Sequence, residues 1–187
     1  LSGLDVNPEL LCEAFSAVDN ARGNIPLTYF EFGTLAAFYI FSHLRIDVAI
    51  LEVGMGGRLD AVNLLNPDLA ILCTIDIDHQ AWLGSTREKI GAEKAGIFRY
   101  RGKAVVADPD PPSSVISRLA ILRCEAQQHH KNFEVRPSGQ NVWAWRHFGD
   151  ATFGVGLPEE VQIASGSLIR ARNLSGALAS VYALQDR

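Results

Sequence analysis

Apolar positions along this chain follow two rhythms, and the order in which they appear predicts the fold. From Pro8 to Arg22, Leu10, Leu11, Ala14, Phe15 and Val18 recur at helical spacing. Asn7 stands as the N-cap, Pro8 takes the first helical position and Gly23 is the stop. Glu31 to Leu44 is apolar nearly all round through Phe32, Leu35, Ala36, Phe38, Ile40 and Phe41, the pattern of a helix packed against a sheet. Val48 to Leu51 is then a continuous apolar run, predicted as a strand covered on both faces, with Leu69 to Ile75 and Ala104 to Ala107 as further strands. Between them Thr86 to Ala95 reads as a helix, with Thr86 as N-cap, Lys89 and Lys94 late in it and Gly96 closing it. A proline-rich turn, Asp108 to Pro112, precedes a helix predicted from Ser113 to His129. Phe133 to Val135, Val142 to Trp145 and Thr152-Phe153 read as short strands of a meander, and a last helix spans Asn173 to Leu184. Strands alternating with helices predict an α/β fold, a mostly parallel sheet flanked by helices. The sequence has no internal repeat and no low-complexity segment.

Polar residues cluster where the predicted strands end. The run Ile50-Leu51-Glu52-Val53-Gly54-Met55-Gly56-Gly57-Arg58-Leu59-Asp60 takes a carboxylate out of an apolar strand and straight into glycines. In parallel sheets, residues just past the carboxyl ends of strands line the binding crevice. The glycines permit backbone angles closed to other residues and a close approach of ligand to main chain. Asp76-Ile77-Asp78-His79 forms a second polar strand end, and Lys94 ends the helix that follows. A hard cation such as Mg²⁺ bridges one or two carboxylates to substrate phosphates, so this set suits a metal-nucleotide complex. Each residue also has a plainer reading: a solvated loop around Glu52, caps at Asp76 and Asp78, a structural hydrogen-bonding group at His79, and a helix-terminal charge at Lys94.

Composition narrows the classes. The chain has 187 residues, 48% hydrophobic and 20% charged, as expected of one soluble domain. A formal net charge of -4 gives no electrostatic footprint for a nucleic-acid partner. Cys12, Cys73 and Cys124 are scattered and odd in number, and read as small buried hydrophobes of a reducing cytoplasm rather than a disulfide frame or zinc site. The longest apolar stretch, Leu35 to Phe41, is far short of the roughly 20 residues of a membrane-spanning helix. The chain opens at Leu1 in sequence that reads as the middle of a longer protein.

Two nucleotide motifs are incomplete. Gly54-x-Gly56 follows a strand with an acidic residue about twenty positions on, as in dinucleotide-binding modules, but Leu59 stands where the third Gly or Ala is needed. A GxxxxGK[ST] loop is absent. A non-catalytic α/β nucleotide-binding or scaffold domain therefore stays open as an alternative to an enzyme.

Four segments taken together are more specific. LTYFEFGTLAAFYIF at Leu27 to Phe41, LEVGMGGRLDAVN at Leu51 to Asn63, IDIDHQAWLG at Ile75 to Gly84 and REKIGAEKAGIFR at Arg87 to Arg99 strongly resemble, in order and spacing, the dihydrofolate synthase/folylpolyglutamate synthase family of the Mur ligase superfamily. The resemblance is strongest from Leu27 to Arg99. It implies that residues 1–187 are the P-loop NTPase-like central ATPase domain of a Mur-type ligase, without its upstream phosphate loop and its C-terminal domain, and that the isolated chain is inactive. It further implies ATP and Mg²⁺ as cofactors, with dihydropteroate, reduced folates and L-glutamate as substrates, in a cytoplasmic, monomeric enzyme with no nucleic-acid or membrane partner. Glu52 and His79 would ligate the metal. Lys94 matches the family's carbamylated lysine, which helps organise that metal, so His79 and Lys94 are the expected catalytic pair. Thr28 and Leu59-Asp60-Ala61 fall where the pteroate is held, and Asn173 matches an ATP-contacting asparagine, although Arg172 stands where a proline often precedes it.

Overall fold

The computed structural model describes residues 3–148 and 160–185. The chain divides into two compact units, Leu1–Met55 with Asp60–Leu64, and Gly56–Leu59 with Leu65–Arg187.

The first unit is a helical pair. Helix α1 (Pro8–Arg22) starts as the sequence predicts: the Asn7 side chain accepts the Glu9 N–H at 2.7 Å, and Gly23 ends the helix at φ 54°. Helix α2 (Tyr29–His43) opens with a reciprocal cap, in which the Thr28 hydroxyl accepts the Glu31 N–H and the Glu31 carboxylate accepts the Thr28 N–H. Ala14 and Val18 of α1 meet Ala36 and Ile40 of α2 in a small core, and the Tyr39 hydroxyl donates to Glu13 at 2.7 Å. Cys12 is exposed, contrary to the sequence expectation. It lies two residues before buried Ala14, which puts it on the opposite side of the helix.

The predicted strand from Val48 to Leu51 does not form. The segment carries no strand pairing among the described residues, and Val48 and Ile50 are 71% and 91% exposed. Apolar composition favours a covered strand, but a strand exists only where a neighbour accepts its backbone hydrogen bonds. A short 3₁₀ turn, Ala61–Leu64, completes the unit.

The second unit contains a three-stranded parallel sheet, β1 (Leu69–Leu72), β2 (Lys103–Val106) and β3 (Glu125–Gln128), in that spatial order. Alternate side chains go to opposite faces. Ala70, Leu72, Ala104 and Val106 pack with Ile90 of α4 (Arg87–Lys94; α3 is the single turn Gln80–Leu83) and with Val115 and Leu119 of α5 (Ser113–Leu122). Leu69 and Val105 face the other way, into a cluster with Ala179 of α6 (Leu168–Ala183). That cluster also takes Phe133, Trp145 and Ile163 from an antiparallel meander, β4 (Phe133–Gly139), β5 (Val142–His147) and β6 (Glu160–Ala164). Helix α6 thus covers one face of the parallel sheet and receives the meander on its other side.

Two sequence expectations shift here, and a third falls outside the described residues. The helix predicted to reach His129 stops at Leu122, where Arg123 adopts a left-handed conformation (φ 51°), and residues 125–128 pair with β2 instead. Tertiary pairing overrides the local pattern in this polar Glu-Ala-Gln-Gln stretch. Helix α6 begins earlier than Asn173, at a Ser167 cap whose hydroxyl accepts the Arg170 N–H at 3.3 Å. Thr152-Phe153, the expected third meander strand, lies outside the described residues.

Candidate active site

Strand β1 delivers its chain to a polar loop, and that loop is held from two sides. Asp108, just past β2 and almost fully buried, accepts the Ile75 N–H at 2.7 Å and the Asp110 N–H at 2.9 Å. Arg87, the first residue of α4, donates to the Ile75 carbonyl at 3.0 Å and to the Asp110 carbonyl at 2.8 Å, and its guanidinium lies 3.4 Å from the Asp108 carboxylate. Both polar backbone groups of Ile75 are therefore taken. Beyond this anchor, Asp76 and Asp78 each accept the N–H of the next residue, at 2.8 and 2.7 Å, the local capping role open to short acidic side chains. His79 adopts a left-handed conformation (φ 50°, ψ 39°) at the start of α3, with its ring half-exposed and 3.6 Å from Asp78. Histidine tolerates this region better than branched residues do.

Lys94 ends α4 in a tightly built corner. Arg58 donates its backbone N–H to the Glu93 carbonyl at 3.0 Å, and its guanidinium grips the Glu93 carboxylate at 3.0–3.1 Å. Gly57 lies so close to α4 that a Cβ there would stand 2.9 Å from the Lys94 carbonyl oxygen and 3.0 Å from that of Glu93. A Cβ on Gly96 would stand 2.6 Å from the Arg58 Cα. Gly57, one of the glycines expected to admit a ligand, instead admits the protein's own helix. The Lys94 side chain is half-buried and forms no ion pair with Asp76 or Asp78.

The remaining candidate residues divide by what already occupies them. Asp60 folds its own turn, accepting the N–H groups of Gly54, Met55 and Val62 at 2.9–3.1 Å. Leu59 is 80% exposed and Ala61 half-buried. Thr28 is committed to the α2 cap. Glu52 is exposed and makes no hydrogen bond or ion pair among the described residues. Asn173 sits on the exposed side of α6, two residues before buried Ser175. Cys73 is exposed as well, which removes another expected core cysteine. By unit, Glu52, Thr28, Asp60 and Ala61 fall in the first and Leu59, His79, Lys94 and Asn173 in the second.

The donor set fits a hard divalent cation only as an open site. Among the described residues no three His, Cys, Asp or Glu side chains converge into a ready cage. Mg²⁺ is commonly held by one or two carboxylates with water and substrate phosphates completing the shell, so an accessible carboxylate suits it, whereas an imidazole is its less usual ligand. Two interactions escaped the sequence reading, the Arg87–Asp108 hold and the Arg58–Glu93 pair. In each the partners lie far apart in sequence, 21 positions for Arg87 and Asp108 and 35 for Arg58 and Glu93, so no local pattern marks the pair.

No family model matches the chain. Dihydrofolate synthase/folylpolyglutamate synthase of Escherichia coli (strain K12) is 38% identical over 177 residues, 92% of this chain and 41% of that protein. The chain is a relative of the dihydrofolate synthase/folylpolyglutamate synthases. It spans about two-fifths of their length. Escherichia coli FolC solved with ADP superposes with a TM-score of 0.83 at 36% identity, over 97% of this chain and 42% of that one. The same protein with DHPP and ADP gives 0.77 at 34% identity, over 95% and 42%. A bifunctional folylpolyglutamate synthase/dihydrofolate synthase with Mn, AMPPNP and L-glutamate bound gives 0.77 at 35% identity, over 97% and 42%. The parallel sheet flanked by helices is thus the fold of these synthases, as the sequence predicts.

Proposed function

We propose that this chain forms the central part of an ATP-dependent amide ligase that joins L-glutamate to dihydropteroate and to reduced folates. The observation that carries the reading is the match to a dihydrofolate synthase/folylpolyglutamate synthase over 92% of the chain. The geometry supports it. His79 is accessible at the start of α3, in the loop that follows β1, and Lys94 at the end of α4 forms no ion pair among the described residues. Glu52, His79 and a carbamylated Lys94 are the residues that would hold the metal, and a metal there would supply positive charge to the transferring phosphoryl group. The acceptor carboxylate attacks the γ-phosphorus of ATP, ADP leaves, and an acyl phosphate forms. The amine of glutamate then attacks the acyl carbon, loses a proton and expels phosphate, leaving an amide. The protein's part is to position the reactants and keep water from the acyl phosphate. Asn173 contributes to nucleotide binding, and Thr28 with Leu59, Asp60 and Ala61 to the pteroate side.

The test is ligation by the complete protein to which this sequence belongs, with dihydropteroate, ATP, Mg²⁺ and labelled glutamate, read by mass spectrometry. A product heavier by one glutamyl residue is expected, and absence of product with both dihydropteroate and reduced folate would overturn the reading. Within that assay Lys94→Ala should lose most turnover and regain part of it with added acetate, which substitutes for the missing carbamate. Full activity of Lys94→Ala without acetate would return Lys94 to a helix-terminal charge.

A further inference from the structure

We infer that Arg87, together with Asp108, is a positioning residue for the metal site: the pair clamps the backbone of Ile75 and thereby fixes where His79 stands. The inference rests on the reading of His79 as a metal ligand. Ile75 is the last buried residue before the exposed stretch that carries His79. Its N–H goes to the Asp108 carboxylate and its carbonyl to the Arg87 guanidinium. One ion pair therefore holds both ends of a single peptide residue, four positions before the imidazole. The geometry leaves little slack on the helix side. Arg87 extends from the first turn of α4, and that turn is fixed by the Thr86 cap and by Glu88, whose carboxylate accepts the N–H groups of Ser113 and Ser114 at 2.9 Å each. Those two N–H groups hold the Glu88 carboxyl below its ordinary pKa, so it stays an acceptor there.

The clamp spans three elements. Arg87 also reaches the Asp110 carbonyl, so the loop after β1, the loop after β2 and the start of α4 are joined at one guanidinium. The Asp108 carboxylate is nearly inaccessible to water, and two backbone N–H groups and one cation satisfy it. Its planar fork lets arginine serve two carbonyls and a carboxylate at once, which a lysine ammonium cannot reproduce. Between Ile75 and His79 the described bonds are the short ones from Asp76 and Asp78 to the backbone, and past them the His79 carbonyl accepts the Trp82 and Leu83 N–H groups of α3 at 2.9 and 3.0 Å. The clamp therefore fixes the side from which the chain enters His79, and α3 fixes the side from which it leaves. Groups that orient metal ligands without touching the metal typically change metal affinity about 10–100-fold when removed.

The test is Mn²⁺ binding to the complete protein in the presence of ADP, followed by electron paramagnetic resonance, with amide hydrogen exchange on the metal-free protein as a second readout. Arg87→Ala should weaken Mn²⁺ binding about tenfold and Arg87→Lys by less. Exchange should accelerate at Ile75 to His79 and stay unchanged in α1 and α5. His79→Ala is the control and should lose the Mn²⁺ site. If His79→Ala weakens Mn²⁺ binding while Arg87→Ala leaves it unchanged, the clamp does not position the ligand and the inference fails with the metal site standing. If exchange rises throughout the protein in Arg87→Ala and Arg87→Lys alike, the pair is a general stabiliser, which also overturns it. Unchanged Mn²⁺ binding in His79→Ala would remove the site itself, and the positioning role with it.

Discussion

Two apolar runs in this chain each lead into an acidic residue, and they end in opposite states. Leu69 to Leu72 pairs with β2, leaves Leu72 and Ile75 only 3% and 2% exposed, and hands its chain to a clamped loop. Val48 to Leu51 finds no partner strand among the described residues, and it leaves Ile50 91% exposed and Glu52 without a hydrogen bond. The compositions differ little. What differs is that β1 has a neighbour to accept its hydrogen bonds and helices to cover it, whereas the other run has neither in what is described. Hydrophobicity states a demand for cover, and pairing decides whether a strand forms. The same contrast separates the two metal-ligand candidates: the chain enters His79 from a clamped Ile75, and it enters Glu52 from the other run.

The sharpest way to test the contrast is to truncate the matching isoleucines. Ile75→Ala removes a buried side chain from the core around Ile90 and Phe98, and should lower the unfolding free energy by about 2–4 kcal/mol. Ile50→Ala should change it by less than about 0.5 kcal/mol, as expected of an exposed position. Urea denaturation of this 187-residue chain measures both. Equal losses at the two sites would mean that Ile50 is covered in solution, and the contrast would collapse.

A second test uses acid. His129 follows β3, is 6% exposed, and neither of its ring nitrogens finds a partner among the described residues. Burial lowers its pKa to about 4, with His130 and Arg172 pushing the same way and Asp108 opposing. A histidine whose folded pKa lies below its unfolded value near 6.5 favours folding while neutral. That contribution is present above about pH 6.5, is lost as the unfolded chain takes up its proton, and is exhausted near pH 4. The slope is at most about 1.4 kcal/mol per pH unit. His129→Leu should flatten the fall in stability between pH 6.5 and 4 relative to the parent chain. Parallel curves for the two proteins would show that His129 is protonated in the fold or reaches water there. The exposed end of the other apolar run has no such buried group, so its variants should leave the acid limb unchanged.

Much of this was legible in the sequence because local chemistry acts over a few residues. Asn7, Thr86 and Gly23 mark helix ends by their own side chains or backbone freedom, and the structure uses each as the pattern predicts. The four motifs that mark the synthase family were likewise readable, since they record residue types at fixed spacing. The clamp was not. Asp108 reads as the first residue of a proline-rich turn, and only the fold brings it to Ile75, 33 positions earlier. Strand β3 was hidden for a related reason: Glu125 to Gln128 has no apolar alternation and becomes a strand by pairing with β2. Residues that act through backbone groups of distant segments leave little trace in periodicity.

The smallest expected effect concerns Thr28, where a structural role and a substrate role compete for one hydroxyl. Its proton goes to the Glu31 carboxylate at 2.8 Å and its oxygen accepts the Glu31 N–H at 3.2 Å. A threonine hydroxyl has one proton and two lone pairs, so one lone pair remains and a pteroate contact must come from a donor on the substrate. Thr28→Ala removes the cap and should cost about 1 kcal/mol, with Thr28→Ser close to the parent. The Glu31 carboxyl, held below its ordinary pKa chiefly by the Thr28 backbone N–H, should keep most of that depression in Thr28→Ala, because the backbone donor remains. Ligation kinetics on the complete protein then separate the roles. A raised KM for dihydropteroate in Thr28→Ala that Thr28→Ser restores assigns the free lone pair to substrate. A loss of stability with KM unchanged leaves Thr28 as a helix cap, and the pteroate site must then draw on the exposed Leu59 side of the turn instead.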